Sequence, residues 1–194
     1  YTTLFRSPIS LHSQVFREGK SVMQAMVSAR QEGEVVAAML VSLGAARESG
    51  VIVPPAAAPA MPPPERCIEL PFMPGLTPDF LQHFQMRYAD GMPPFSGSAV
   101  PDFSGYMGFR TPPQAMSTAA LIALVDTWPP SVLPMLKKPA PASSLTWTME
   151  LLDDPGSRPA DTLWQYRVKT DQSSDGYGQS QATIWDGEGK AVAL

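Results

Sequence analysis

Thr111-Pro-Pro-Gln-Ala-Met-Ser-Thr-Ala-Ala-Leu-Ile-Ala-Leu-Val-Asp-Thr-Trp-Pro-Pro130 is the stretch on which the fold turns. Thr111 supplies a hydroxyl for a helix N-cap, and the prolines that follow suit a first turn whose amides have no partner in any case. From Ala115 to Val125 every residue is apolar or small. A helix with no polar face is stable only when protein surrounds it. Trp128-Pro129-Pro130 ends it, because proline removes a donor and clashes with the preceding turn.

The flanking segments read as strands able to provide that enclosure. Upstream, Phe80 to Arg87 and Ser104 to Arg110 are strand-like and separated by a Gly/Pro-rich loop. Downstream, Leu145 to Leu151 and Leu163 to Thr170 follow a second Pro-rich loop. In the latter, Trp164, Tyr166 and Val168 alternate with Gln165, Arg167 and Lys169. That period of two marks an antiparallel strand buried on one side. Gly178 to Trp185 pairs with Lys190 to Leu194 across Asp186-Gly-Glu-Gly189, a hairpin signal. Strand, strand, buried helix and four strands of antiparallel meander describe a sheet curled around one helix, the hot-dog arrangement. Sheet and helix each supply the core that the other lacks.

Residues 53–64 contain six prolines and read as an extended linker. The expected organisation is a module at 1–52, a linker at 53–66 and a module at 67–194. In the first module, Leu11 to Arg17, Val22 to Ala29 and Val35 to Ala46 read as strands, with turns at Gly19 and at Gln31-Glu32-Gly33. It shows no helix. The fold class is therefore α+β, a double hot-dog whose first module is incomplete in this chain.

Composition narrows the function. Charged residues are 16%, against roughly 25% in globular chains, so burial of the surface against a second copy is expected. Net charge is −4 and the longest basic run is Lys137-Lys138, which argues against nucleic acid as a partner. The apolar run Ala119 to Val125 is far short of the ~20 residues of a membrane span. The single cysteine, Cys67, precludes an internal disulfide and reads as a small half-buried hydrophobe in a reducing compartment, so the cytoplasm is the expected location. Gly19-Lys20-Ser21 is no phosphate loop, since Gln14 stands where that motif needs glycine. There is no G-x-S-x-G, and His12 and His83 are the only histidines, so neither a serine triad nor a zinc site is expected.

Asp126 is the informative polar residue. It follows the apolar helix at its C-terminus, where the macrodipole disfavours an anion by a few tenths to ~1 kcal/mol. Two readings stand side by side: a solvated helix-end residue, or a functional carboxylate at the rim of the enclosing sheet.

The helix end Ala-Leu-Val-Asp126 and the closing run Gly176-Tyr-Gly-Gln-Ser-Gln-Ala-Thr-Ile-Trp-Asp-Gly-Glu-Gly-Lys-Ala-Val-Ala193 resemble the acyl-CoA thioesterase II family. So do the Arg17-Glu-Gly-Lys-Ser21 turn, the segment Val27 to Ala37 that follows it, and the position of the Pro-rich linker. The resemblance spans nearly the whole chain. It implies acyl-CoA as substrate, no metal or organic cofactor, and hydrolysis by water without a covalent acyl-enzyme. An Asp at the end of the second module's helix, a Ser or Thr on the next strand and a Gln after the last strand would hold that water. The Asp falls at Asp126. The hydroxyl falls at Ser144, with Thr146 as the alternative in register. The Gln falls shortly beyond Leu194, and the opening strand and helix of the first module precede Tyr1, so a natural polypeptide longer at both ends is expected. The competing readings are a non-catalytic acyl- or CoA-binding hot-dog protein and a hydratase acting on enoyl-CoA. The hydratase would need a His near the helix, and neither His12 nor His83 lies there.

Overall fold

The computed structural model describes residues 7–194; Tyr1, where the first module was expected to begin, lies outside the described residues. The chain divides into two compact units, residues 1–54 and 55–194.

The first unit is a three-stranded antiparallel sheet in the order β1 (Ser10–Glu18), β2 (Val22–Gln31), β3 (Glu34–Gly44). The Gly-Lys-Ser segment is the turn between β1 and β2, closed by the Gly19 amide donating to the Val22 carbonyl at 2.9 Å. Between β2 and β3, Glu32 and Gly33 both adopt positive φ (52° and 89°), the backbone of a tight hairpin turn. The register places Leu11, Val15, Val27, Ala37, Met39 and Val41 on one face. No helix covers it among the described residues, and Leu11 and Met39 stand exposed.

The second unit is a six-stranded antiparallel sheet in sequential order: β4 (Ile68–Glu69), β5 (Phe84–Asp90), β6 (Phe103–Phe109), β7 (Trp164–Ser174), β8 (Tyr177–Trp185) and β9 (Ala191–Ala193). Tyr88, Gly105, Tyr166 and Ile184 form one rung across β5 to β8, and Met86, Met107 and Trp164 form the next. These side chains, with Phe103, Val168 and Val192, make the core. Helix α1 (Thr118–Val125) lies against them, burying Leu121 and Leu124 fully and Val125 nearly so. Each fully buried leucine contributes roughly 1.5–3 kcal/mol.

Sequence and structure differ at several places. The helix starts at Ser117, not Thr111: the Ser117 hydroxyl accepts the Ala120 amide at 3.1 Å. Consecutive prolines push the residue before each of them out of the helical region, so the first turn waits for the next hydroxyl. The helix is enclosed on one face only; Ala119 and Ala123 are exposed, and alanine is good helix surface at little cost. Residues Asp79–His83 form a 3₁₀ turn seeded by Pro78 rather than the start of a strand, so β5 begins at Phe84. Finally, the expected strand from Leu145 to Leu151 is coil until its end, where Glu150 and Leu152 pair with Leu194 and Val192 of the β9 edge. Pro139 and Pro141 remove donors just before it.

The Pro-rich run after residue 54 lies along the second sheet. Its carbonyls accept hydrogen bonds from Trp185 Nε1 (to Ala56, 2.8 Å), Tyr106 Oη (to Pro62, 3.0 Å) and Arg87 Nη1 (to Pro64, 2.9 Å). Proline carbonyls retain full acceptor capacity although the ring removes the amide donor.

The cap assignment is directly testable. Ser117→Ala is expected to lower unfolding free energy by about 1 kcal/mol in a denaturant titration, whereas Thr111→Ala stays within about 0.5 kcal/mol of the parent.

Candidate functional site

The C-terminal end of α1 gathers the residues of interest. The Asp126 amide still donates to Ile122 at 3.1 Å, and its backbone (φ −72°, ψ −4°) completes the last turn. Thr127 then donates both its amide (3.1 Å) and its hydroxyl (2.6 Å) to the Leu124 carbonyl, capping one of the orphan acceptors of the helix end. Val125, Thr127 and Trp128 are buried, and Asp126 between them is exposed. The chain thus turns one carboxylate outward between buried neighbours.

The Asp126 carboxylate has no hydrogen-bond or ion-pair partner among the described residues. Partial desolvation by the surrounding protein raises its pKa above the ordinary 3.8, and no cation opposes the shift. A carboxylate of this kind is more basic than a free one and has its lone pairs available.

Ser144 and Thr146, the two candidate hydroxyls, lie in the coil between α1 and β7, exposed and outside any strand. No hydrogen bond joins either of them to Asp126 among the described residues.

A second group of charges was not visible in sequence. Asp186 is buried; its Oδ2 accepts from Arg158 Nε (3.1 Å) and Nη2 (3.0 Å), and its Oδ1 accepts the amides of Glu188 (3.0 Å) and Lys190 (2.9 Å). Asp153 bridges Lys190 and Arg158, whose hydrogen bonds hold its carboxyl down to about 2. The cleft beside them, lined by Arg158, Asp186 and Lys190, measures 390 Å³. Its charges satisfy one another and clamp the β8–β9 turn, leaving little valence for a ligand. The Asp-Gly-Glu-Gly signal identified the turn, but the distant partner Arg158 carries no local signature.

The remaining candidates have structural surroundings. Cys67 is half-buried, with its thiol pKa raised mainly by desolvation and its Sγ near the Pro63 carbonyl at 3.5 Å, so it is held as the thiol. His12 lies on β1 and His83 ends the 3₁₀ turn before β5, both away from α1 in sequence. Among the described residues no three His, Cys, Asp or Glu side chains form a metal-holding group, and no helix is long and apolar enough to cross a membrane.

A sequential antiparallel sheet wrapped on one helix defines the second unit as a hot-dog domain. The chain belongs to the acyl-CoA thioesterase C-terminal domain family, whose profile matches residues 64–194. Among solved structures it is similar to a conserved protein of unknown function with a hot-dog fold from Alicyclobacillus acidocaldarius, at 26% identity and a TM-score of 0.81, covering 94% of this chain and 68% of that one. It is also similar in fold to an acyl-CoA thioesterase II from Mycobacterium marinum, at 19% identity and a TM-score of 0.67, covering 94% and 69%. No curated protein matches the sequence.

Partial desolvation strengthens the hold of Asp126 on its proton in the folded protein. The folded state binds this proton more tightly than the unfolded chain, so the ionised carboxylate costs stability as pH rises from the ordinary value through the raised one. Asp126→Asn is therefore expected to melt above the parent at neutral pH, with the gap closing in acid as the parent's carboxyl becomes protonated. Differential scanning calorimetry across pH reads both.

Proposed function

We propose that this protein hydrolyses acyl-CoA thioesters by direct attack of water, with Asp126 as general base. The observation that carries the reading is Asp126 itself: an unpaired carboxylate with a raised pKa, emerging at the end of the hot-dog helix in a chain of the acyl-CoA thioesterase C-terminal domain family. A general base is most effective when its pKa approaches the working pH, which partial desolvation favours here.

In this mechanism Asp126 accepts a proton from water as the oxygen adds to the thioester carbonyl. The tetrahedral intermediate collapses with cleavage of the carbon–sulfur bond, and the departing CoA thiolate takes up the proton. Ser144, or Thr146 in the alternative register, donates or accepts the second hydrogen bond that orients the water. Both hydroxyls stand in exposed coil, so this role requires the segment to close over bound substrate. Catalytic hydrogen bonds are often long or absent without substrate and tighten in the complex. Acyl-CoA is the partner, and the sparse surface charge favours association of copies.

Hydrolysis of a panel of acyl-CoAs, followed by release of the free thiol, tests the assignment. Asp126→Asn is expected to lower kcat by about 10²–10⁴-fold, the usual worth of a positioned general base, with KM little changed. Equal rates for variant and parent would remove Asp126 from the mechanism. The acidic limb of kcat/KM is expected above the ordinary aspartate range, with activity falling as pH drops and Asp126 takes up its proton. Of Ser144→Ala and Thr146→Ala, the one that lowers kcat identifies the hydroxyl.

A further inference from the structure

Gly105 sits in the middle of β6, between Tyr88 of β5 and Tyr166 of β7 on the inner rung of the sheet. A Cβ at this position would lie 2.0 Å from the Arg87 carbonyl oxygen and 2.9 Å from Cη2 of Trp128. The missing side chain is the space into which the Trp128 indole descends. That ring stacks on Tyr166 (centroids 4.8 Å apart, planes at 11°), meets Tyr88 edge-on (5.2 Å, 80°) and leans on Phe103 (5.3 Å, 32°). Its Nε1–H points at Met107 Sδ, 3.1 Å away. Three ring contacts fix the plane of the indole, and the N–H contact fixes its rotation within that plane.

Trp128 lies two residues beyond Asp126, so their Cα atoms can be no more than about 7 Å apart. Thr127, between them, is tied twice to the Leu124 carbonyl. The short connection has no slack, and the indole's seat on the sheet sets where the carboxylate emerges. We infer that Trp128, seated on Gly105 and clasped by Tyr88, Phe103 and Tyr166, is the positioning residue that holds Asp126 against the reacting water. The inference rests on the reading of Asp126 as general base. The glycine between the two tyrosines is demanded first by the Arg87 carbonyl, which leaves no room for a Cβ, and the space it leaves open is where the indole sits.

Displacements of about 1 Å at a reacting group can cost on the order of 10² in rate. Trp128→Leu, which fills part of the volume but neither stacks nor donates, is therefore expected to lower kcat of acyl-CoA hydrolysis by about 10- to 100-fold with KM within about twofold. Trp128→Phe keeps the stack and loses the N–H contact, and falls between Leu and the parent. A folded Trp128→Leu protein with kcat within about twofold of the parent, or with KM rising in step, would overturn the inference. If Trp128→Leu does not fold, Trp128→Phe decides: a drop in kcat of about threefold or more at unchanged KM supports it, and the parental kcat overturns it. Asp126→Asn is measured alone and in the Trp128→Phe background. Loss in the single variant with little further loss in the pair supports action through Asp126, and losses that multiply contradict it. Parental activity of Asp126→Asn alone defeats the general-base reading itself, which separates that failure from this one.

Discussion

The packing of one short apolar stripe, Leu121, Leu124 and Val125, into the inner face of a six-stranded sheet is the constraint on which the second unit depends. The sheet's inner rungs are filled by large side chains, with Trp164, Phe103, Met86 and Met107 all fully buried. The helix supplies the cover, and the sheet supplies the environment that stabilises so short a helix. Eight residues would be marginal in isolation, because nucleation is costly and each further residue adds only one hydrogen bond. Once that stripe is seated, the positions of Ser117 at one end and Asp126 at the other follow from helix length.

Two aspartates show how environment divides structural from chemical roles. Asp186 is buried and accepts four hydrogen bonds, two from Arg158 and two from backbone amides, so its charge is consumed in holding a turn. Asp126 has neither a cation nor an amide, and it sits at the negative end of a helix. The first environment makes a carboxylate inert; the second leaves it basic and available. The two differ in burial as well as in pairing, and the pairing is what consumes the charge of Asp186.

The parts of the fold set by local chemistry were legible in the sequence. Alternation in Trp164–Lys169 identified β7, and Glu32-Gly33 and Asp186-Gly-Glu-Gly189 identified hairpin turns. Asp175-Gly176 carries the same kind of signal, with both residues at positive φ, and explains why β7 runs on to Ser174 instead of stopping at Thr170. What escaped was set by competition between signals. Thr111-Pro112 is an acceptable helix start, but Pro113 follows it and Ser117 offers a cap nearer to the buried residues. Leu145 to Leu151 has strand-like composition, yet pairing reaches only Glu150 and Leu152, so the candidate hydroxyls Ser144 and Thr146 stand on coil. The place of Asp126 at the helix end was legible, from the apolar run before it and the Trp128-Pro-Pro stop after it. The seat of Trp128 was not, since it depends on Gly105, far away in sequence and adjacent only through the register of β6.

A single turnover of acyl-CoA hydrolysis in ¹⁸O-labelled water, with enzyme in excess over substrate, tests most directly whether water or the Asp126 carboxylate attacks the thioester. Direct attack by water places one labelled oxygen in the released acid in that first turnover and leaves the Asp126 side chain unlabelled by mass spectrometry. An unlabelled acid, with the label recovered in Asp126, would mean that the carboxylate had itself formed the acyl bond, and would contradict it.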